Sequence, residues 1–388
     1  MIPYGRQHLD DNDIKAVIDT LQSDWLTQGP AIPKFENAFA TYCNSSYGIA
    51  VNSATSALHI ACLALGVGKG DCVWTSPNSF VASSNCALYC GANIDFVDID
   101  LSTGNMCVEA LRDKLIQAES EGTLPKVIIP VHFAGQPCDM ETIHALSKRY
   151  GFYIIEDASH AVGAKYKGQF VGSCEFSTIT VFSFHPVKII TTMEGGMALT
   201  NNSELANKMR MLRSHGITTD PDLMTEESHG PWYYQQVALG FNYRMTDVEA
   251  ALGLSQLNRL SEFVEKRNTL ATYYDQRFRD HSRITPLKQT AGIFSSYHLY
   301  VVRVEELSRK QHAELIVALR ENEIFAHVHY IPIHLQPYYK NLGFKEGDYP
   351  NAELYYQQAV TLPLFPELTL GQVDHVVDKL VEAVSSHV

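Results

Sequence analysis

The sequence predicts an α/β protein: a large domain built on a mostly parallel sheet, followed by a smaller α+β C-terminal domain. Three observations carry this. Between about residues 46 and 215, short and uniformly apolar runs alternate with amphipathic stretches, the pattern of strands covered on both faces by helices. A long helical pattern, "MTDVEAALGLSQLNRLSEFVEKRNTLATYYDQRF", then runs from Met245 to Phe278 and is long enough to bridge two units. Finally, 388 residues, 45% of them hydrophobic and 19% charged, exceed what one compact domain needs. The expected boundary separates residues 1–260 from residues 261–388.

The elements follow in order. "YGIAV" reads as a strand and leads into the helix-forming "ATSALHIACLALG"; "CVWTS" leads into "SFVASSNCALYCG", and "KVIIPVHF" into "METIHALSKRYG". "FYIIED" is the next strand, "AVGAKYKGQFVGS" at 161–173 is a hairpin punctuated by glycines, and "TITVF" is a further strand. "TTDPDLMTEESHGPWYY" reads as a long loop before the bridging helix. Beyond it, strand-like "SSYHLYVVRV" and helix-like "SRKQHAELIVALRENE" supply the smaller domain.

Composition excludes several function classes. The formal net charge is −13 and no Lys/Arg block occurs, so the basic footprint required by nucleic acids or anionic membranes is missing. "MIPYGRQHLDDNDIKAVIDTLQ" lacks a charged leader followed by an apolar run, and no run of about 18 apolar residues exists to span a bilayer; a cytoplasmic protein is expected. Eight cysteines show no Cys-x-x-Cys or Cys/His metal spacing and read as reduced core thiols. His327, His329 and His334 resemble a metal cluster only superficially: His-x-His places two imidazoles on one strand face, but no Cys or carboxylate stands close by. No metal is expected.

In an open α/β sheet the ligand crevice lies beyond the carboxyl ends of the strands. Polar residues cluster there: Asn52 to Ser56, Pro77 to Phe80, Asp157 to His160, and Ser183 to Lys188. Lys188 follows an apolar run, an enclosure in which an amine becomes nucleophilic. Asp157 ends "FYII", where a buried acid requires a cation. "NSATSAL" has the small hydroxyl residues that open a helix, whose free N–H groups bind phosphate. Each residue also has an ordinary reading. Lys188 alone reads as a surface lysine, Asp157 and Ser56 as caps, Ser183 as a core hydroxyl, Phe80 as a core aromatic and Asn242 as a turn residue. Trp232, Tyr233 and Tyr234 read equally as core aromatics or as a cover for a ligand.

Taken together and in order, "NSATSALHIACLALG", "SPNSFVASSNCALYCGA", "IIEDASHAVGA", "SFHPVKIITTMEGG" and "GFNYRMTDVEAALGLSQL" resemble the DegT/DnrJ/EryC1/StrS family of nucleotide-sugar aminotransferases that use pyridoxal 5′-phosphate (PLP). The resemblance spans nearly the whole chain. It implies the PLP-dependent transferase fold type I, with a large mixed-sheet α/β domain and a smaller α+β domain. It implies that Lys188 binds PLP covalently and then shuttles protons, and that Asp157 keeps the pyridine nitrogen protonated. Thr55, Ser56 and Ser183 match phosphate contacts, Phe80 the aromatic that covers the ring, and His160 the Gln or His near the phenolic oxygen. Asn242 matches a residue that reaches the partner's cofactor phosphate, so a homodimer with shared active sites is implied.

The branch most resembled acts on a UDP-linked 4-keto-6-deoxy-N-acetyl-hexosamine, with L-glutamate as amino donor, in pseudaminic acid biosynthesis. Two alternatives stand beside it: an aminotransferase for another keto nucleotide sugar, and a PLP- or nucleotide-binding regulator without turnover. A Rossmann dehydrogenase is set aside because no Gly-x-Gly-x-x-Gly follows the first strand. One position departs from the family pattern: Met193 stands in "TTMEGG" where the family has glycine. If that position needs positive φ or lies against the sugar, methionine strains the loop or crowds the site.

Overall fold

The computed structural model describes residues 1–386. Seven strands build the main sheet: β1 (Tyr47–Val51), β2 (Cys72–Thr75), β3 (Asn93–Phe96), β4 (Val127–Ile129), β5 (Tyr153–Asp157), β6 (Ile179–Ser183) and β7 (Gly196–Thr200). Their order across the sheet is β1-β7-β6-β5-β4-β2-β3. Pairing is parallel from β3 through β6, while β7 runs antiparallel to both of its neighbours. A helix follows each of β1, β2, β3 and β4, and such crossovers return the chain to start the next strand in the same direction. The parallel strands therefore end on one side of the sheet.

Local chemistry sets the helix starts. Ser53 caps Ala54–Ala64 by accepting from the Ser56 N–H at 3.1 Å, and Asp139 caps Met140–Tyr150 in the same way. The Thr246/Glu249 pair forms a reciprocal capping box on Asp247–Leu257. Residues 161–173 contain the expected hairpin, Lys165–Tyr166 against Gln169–Phe170, with Ile293–Phe294 added on its other side.

A second, three-stranded antiparallel sheet joins Ile284–Pro286, Tyr300–Val304 and Ala359–Leu362. Its core, which includes Val302, Leu315, Val360, Val373 and Leu380, lies among the helices Leu260–Phe278, Arg309–Glu321 and Leu370–Ser385. The chain's start belongs here too. Ile2 and Pro3 pair in parallel with Ile324 and Phe325, which carries Tyr4 onto the rings of His327 and His329 at 5.6 and 5.1 Å.

Two differences from the sequence reading have physical causes. The pattern read as one helix from Met245 to Phe278 is two helices, Asp247–Leu257 and Leu260–Phe278. Arg259 leaves helical geometry at the break (φ −108°, ψ 3°), and its guanidinium pairs with Asp10, with the buried Asp13 and with His8. Gln256 donates to Asp13 as well, at 2.6 Å. These long-range partners compensate for the lost helical turn. The cysteines are all free, but Cys72, Cys90 and Cys107 are only half-buried, while the other five are core.

Because Arg259 is the cation for a carboxylate that is 1% exposed, Arg259→Ala is expected to destabilise the protein by about 3 kcal/mol. Urea unfolding followed by circular dichroism measures it; a loss under about 1 kcal/mol, typical of surface pairs, would show that the break has another cause.

Candidate active site

At the carboxyl ends of the parallel strands lies a cavity of about 440 Å³. Larger grooves exist, for example about 720 Å³ beside Tyr42, Phe170 and Tyr273, but those linings bring no lysine, buried carboxylate and helix start together. Here the three meet. β1 delivers Ser53, Ala54 and Thr55 at the start of its helix, the loop after β2 delivers Ser79 and Phe80, β5 delivers Asp157, Ser159 and His160, and β6 delivers Ser183, His185 and Lys188.

Asp157 is 4% exposed. Its carboxylate accepts from the Ser83 hydroxyl at 2.6 Å and from the Ser159 N–H at 3.1 Å, and Ser83 is itself bonded to the Ser79 hydroxyl at 2.7 Å. These bonds offset part of the burial cost. Lys188 sits in the loop between β6 and β7, half-buried where it faces the cavity. Burial brings its amine down to about 8, against the opposing pull of the Asp157 carboxylate. The loop is closed at its base by Phe184 N–H to Gly195 carbonyl and Thr192 N–H to Phe184 carbonyl, both at 3.0 Å. A neutral amine fraction is thus held near a carboxylate at a half-buried position.

His160 is buried, accepts from the Ala134 N–H at its Nδ1 (3.3 Å), and has its Nε2 3.0 Å from the Tyr330 hydroxyl. Burial, the Lys188 cation and His329 hold it well below the ordinary histidine range. His329 is brought down to about 3 by burial, by the adjacent His327 ring and by the Lys188 amine. Phe80 is 60% exposed at the cavity wall, positioned for a flat ring to lie against it.

Six of the residues singled out in the sequence, Thr55, Phe80, Asp157, His160, Ser183 and Lys188, line this cavity. Ser56 does not: its hydroxyl donates to Asn52 Oδ1 at 2.6 Å and its N–H is taken by Ser53. Asn242 is exposed and off the cavity, bridged to Ser214 in a segment that runs past the end of β1. Trp232 and Tyr234 are exposed, at 76% and 56%, and neither they nor Tyr233 reach the cavity. The His327 and His329 rings lie 4.6 Å apart against Tyr4, His329 bonds the Thr361 hydroxyl, and His334 bonds Glu353 elsewhere. Ser79 and His185 lie within the strand-end clusters named from the sequence but were given no role there, and Tyr4, Ser83 and Tyr330 were not singled out at all. Met193 takes positive φ, 72°, and is 47% exposed outside the cavity lining. Of the two effects expected of it, strain applies rather than crowding of the cavity.

A model of the DegT/DnrJ/EryC1/StrS aminotransferase family matches residues 7–381. The chain belongs to that family. It is 39% identical over 381 residues to the spore coat polysaccharide biosynthesis protein SpsC of Bacillus subtilis, covering 97% of this chain and 95% of that protein. It is 37% identical over 380 residues to the UDP-4-amino-4,6-dideoxy-N-acetyl-beta-L-altrosamine transaminase of Campylobacter jejuni, covering 98% and 96%. Among solved structures, Helicobacter pylori PseC, an aminotransferase involved in the biosynthesis of pseudoaminic acid, superposes with a TM-score of 0.91 at 33% identity, covering 99% of each chain. The sugar aminotransferase Spr1654 of Streptococcus pneumoniae, solved in PLP and PMP forms, superposes at 0.89 and 0.90 with 32% identity, covering 99% or more of both chains. The fold of this aminotransferase is thus that of the type I PLP-dependent transferases.

The residues present fit PLP. A buried carboxylate suits a ring nitrogen, a helix start suits a phosphate, and a Cβ on Gly196 would come 2.5 Å from Ala54 N, so only glycine lets β7 approach that helix start. Because only the neutral amine attacks an aldehyde, capture of PLP by the apoprotein, trapped with borohydride and read by mass spectrometry at Lys188, is expected to rise with pH through a midpoint near 8. A midpoint at the ordinary lysine value of about 10.4 would show that burial does not govern this amine.

Proposed function

We propose that this aminotransferase moves an amino group from L-glutamate to C4 of a UDP-linked 4-keto-6-deoxy-N-acetyl-hexosamine, in pseudaminic acid biosynthesis. The observation that carries it is the joint placement of the Lys188 amine and the Asp157 carboxylate on one cavity, in a chain similar to the Campylobacter jejuni and Helicobacter pylori enzymes over nearly their full length. The cofactor is PLP, which when bound supplies the electron sink for proton removal beside nitrogen.

In this reading Lys188 holds the cofactor and, once released, keeps the moving proton on its amine. Asp157, fixed by Ser83 and Ser159, faces the ring nitrogen and keeps a proton there. Thr55, Ser183 and the start of the helix Ala54–Ala64 orient the phosphate, with Ser56 setting the shape of that helix start through Asn52. Phe80 covers the ring, and His160 serves the side of the phenolic oxygen. Residues 1–260, apart from the Ile2–Pro3 strand that pairs into the smaller unit, act as the cofactor-holding unit and residues 261–388 as the smaller unit beside it, in a cytoplasmic homodimer. Among the described residues no helix is long and apolar enough to cross a membrane.

SpsC is as similar as the altrosamine transaminase, and this favours one second reading, another keto nucleotide sugar as acceptor. A panel of UDP- and dTDP-linked 3-keto and 4-keto sugars, assayed with glutamate, tests both. Turnover confined to the UDP-linked 4-keto-6-deoxy-N-acetyl sugar is expected; preference for a different sugar transfers the assignment to the second reading.

The exposed Asn242 generates a sharper expectation. If it completes the partner's site, Lys188→Ala and Asn242→Ala chains, each nearly inactive, should form mixed dimers in which one site carries both lesions and the other carries neither. Random pairing then restores about a quarter of wild-type activity per total site. No recovery despite proven subunit exchange would remove Asn242 from the partner's site.

A further inference from the structure

His160 has two ring nitrogens, and the structure accounts for both. Nδ1 accepts from the Ala134 backbone N–H at 3.3 Å, so it cannot carry a proton of its own. A neutral imidazole in that state bears its proton on Nε2, and Nε2 lies 3.0 Å from the Tyr330 hydroxyl. The ring therefore donates and the tyrosine oxygen accepts. Its surroundings oppose a second proton: His160 is 6% exposed, the His298 ring lies 4.3 Å away with an unpartnered Nδ1, and Lys188 and His329 face the same space.

The consequence falls on Tyr330. With its oxygen receiving the His160 proton, its own proton must be given elsewhere, and no other protein atom is bonded to that hydroxyl among the described residues. Its backbone is fixed, since Tyr330 N–H donates to Asn78 Oδ1 at 3.3 Å, and its side chain lines the cavity with Lys188, Asp157 and Ser159. We infer that Tyr330, rather than His160, is the hydrogen-bond donor on this wall, giving its hydroxyl proton to an oxygen atom of the bound molecule, with His160 as the positioning residue that fixes the direction of that bond. The inference rests on the aminotransferase reading above. The acceptor oxygen belongs either to the cofactor, as the phenolic oxygen of PLP, or to the keto-sugar.

The test uses full-length protein reconstituted with PLP, comparing wild type with Tyr330→Phe, His160→Gln and His160→Leu, each checked for folding by circular dichroism. A hydrogen bond to a charged group is worth roughly a ten- to hundredfold change in affinity. If the acceptor is the cofactor, Tyr330→Phe shifts the visible absorption band and weakens PLP binding by that factor. If it is the sugar, the band and PLP affinity stay at wild-type values while KM for the keto-sugar rises by a similar factor. His160→Gln, whose amide N–H replaces that of Nε2, should lose less than His160→Leu, which should show a partial form of the Tyr330→Phe change.

A folded Tyr330→Phe with unchanged band, PLP affinity, KM and kcat overturns the inference. Should that variant not fold, a folded His160→Leu with wild-type values in all four overturns it instead. A wild-type protein that takes up no PLP, or whose spectrum ignores glutamate, sinks the aminotransferase reading itself and this inference with it.

Discussion

The burial of one carboxylate organises much of the molecule. Asp157 ends β5 on the floor of the cavity at 4% exposure, where an unpaired carboxylate costs several kcal/mol. Two bonds hold it, from the Ser83 hydroxyl and the Ser159 N–H, and both depend on chain direction. Ser83 lies on the helix Ala82–Tyr89 that follows β2, and Ser159 on the turn that follows β5. Only a sheet whose neighbouring strands run parallel brings the starts of several connections to one place. The same geometry puts Lys188, beyond β6, close enough for the carboxylate to act on its amine.

The far wall comes from a distant part of the sequence. Ile333 N–H donates to the Pro77 carbonyl at 2.9 Å, Tyr330 N–H to Asn78, and Tyr339 is bonded to Ser84 and Asn85. Three points of the C-terminal segment, Tyr330, Ile333 and Tyr339, are thus fastened to the loop and helix after β2, which also carry Phe80 and Ser83. Substitutions there would act on the cofactor side and on the closing wall together, as expected for residues sharing one hydrogen-bond network.

How much of this was legible follows from the range of each interaction. Strands such as "YGIAV" and "FYIIED" declare themselves through uniform apolar runs, and Lys188 and Asp157 through polar residues placed at the ends of those runs. Nothing local marks Tyr330 as the partner of His160, 170 residues away. The break at Arg259 was hidden for the same reason: the buried carboxylate its guanidinium pairs with, Asp13, is 246 residues distant. Strands β3 and β7 escaped because neither is a uniform apolar run: Asn93 and Asp95 interrupt "NIDF", and Gly196 and Thr200 leave "GMALT" only three apolar residues. Ser56 was misleading in a different way. A hydroxyl at a helix start serves a ligand or the turn itself, and sequence does not say which; here Asn52 takes it.

Met193 shows how the loop that carries Lys188 is held. Its φ of 72° costs a residue with a Cβ about 1–2 kcal/mol, and such strain persists only where neighbours impose it. They do: Met193 N–H donates to the Thr191 hydroxyl at 2.9 Å, that hydroxyl donates to the Phe184 carbonyl at 2.9 Å, and the Thr192 hydroxyl donates to the Glu194 carbonyl at 2.6 Å. The bonds that force the left-handed turn also close the loop between β6 and β7. Glycine would remove the strain but widen the set of unfolded and loosened conformations. Methionine leaves the turn with fewer alternatives, and the turn anchors the loop that presents the lysine to the cavity.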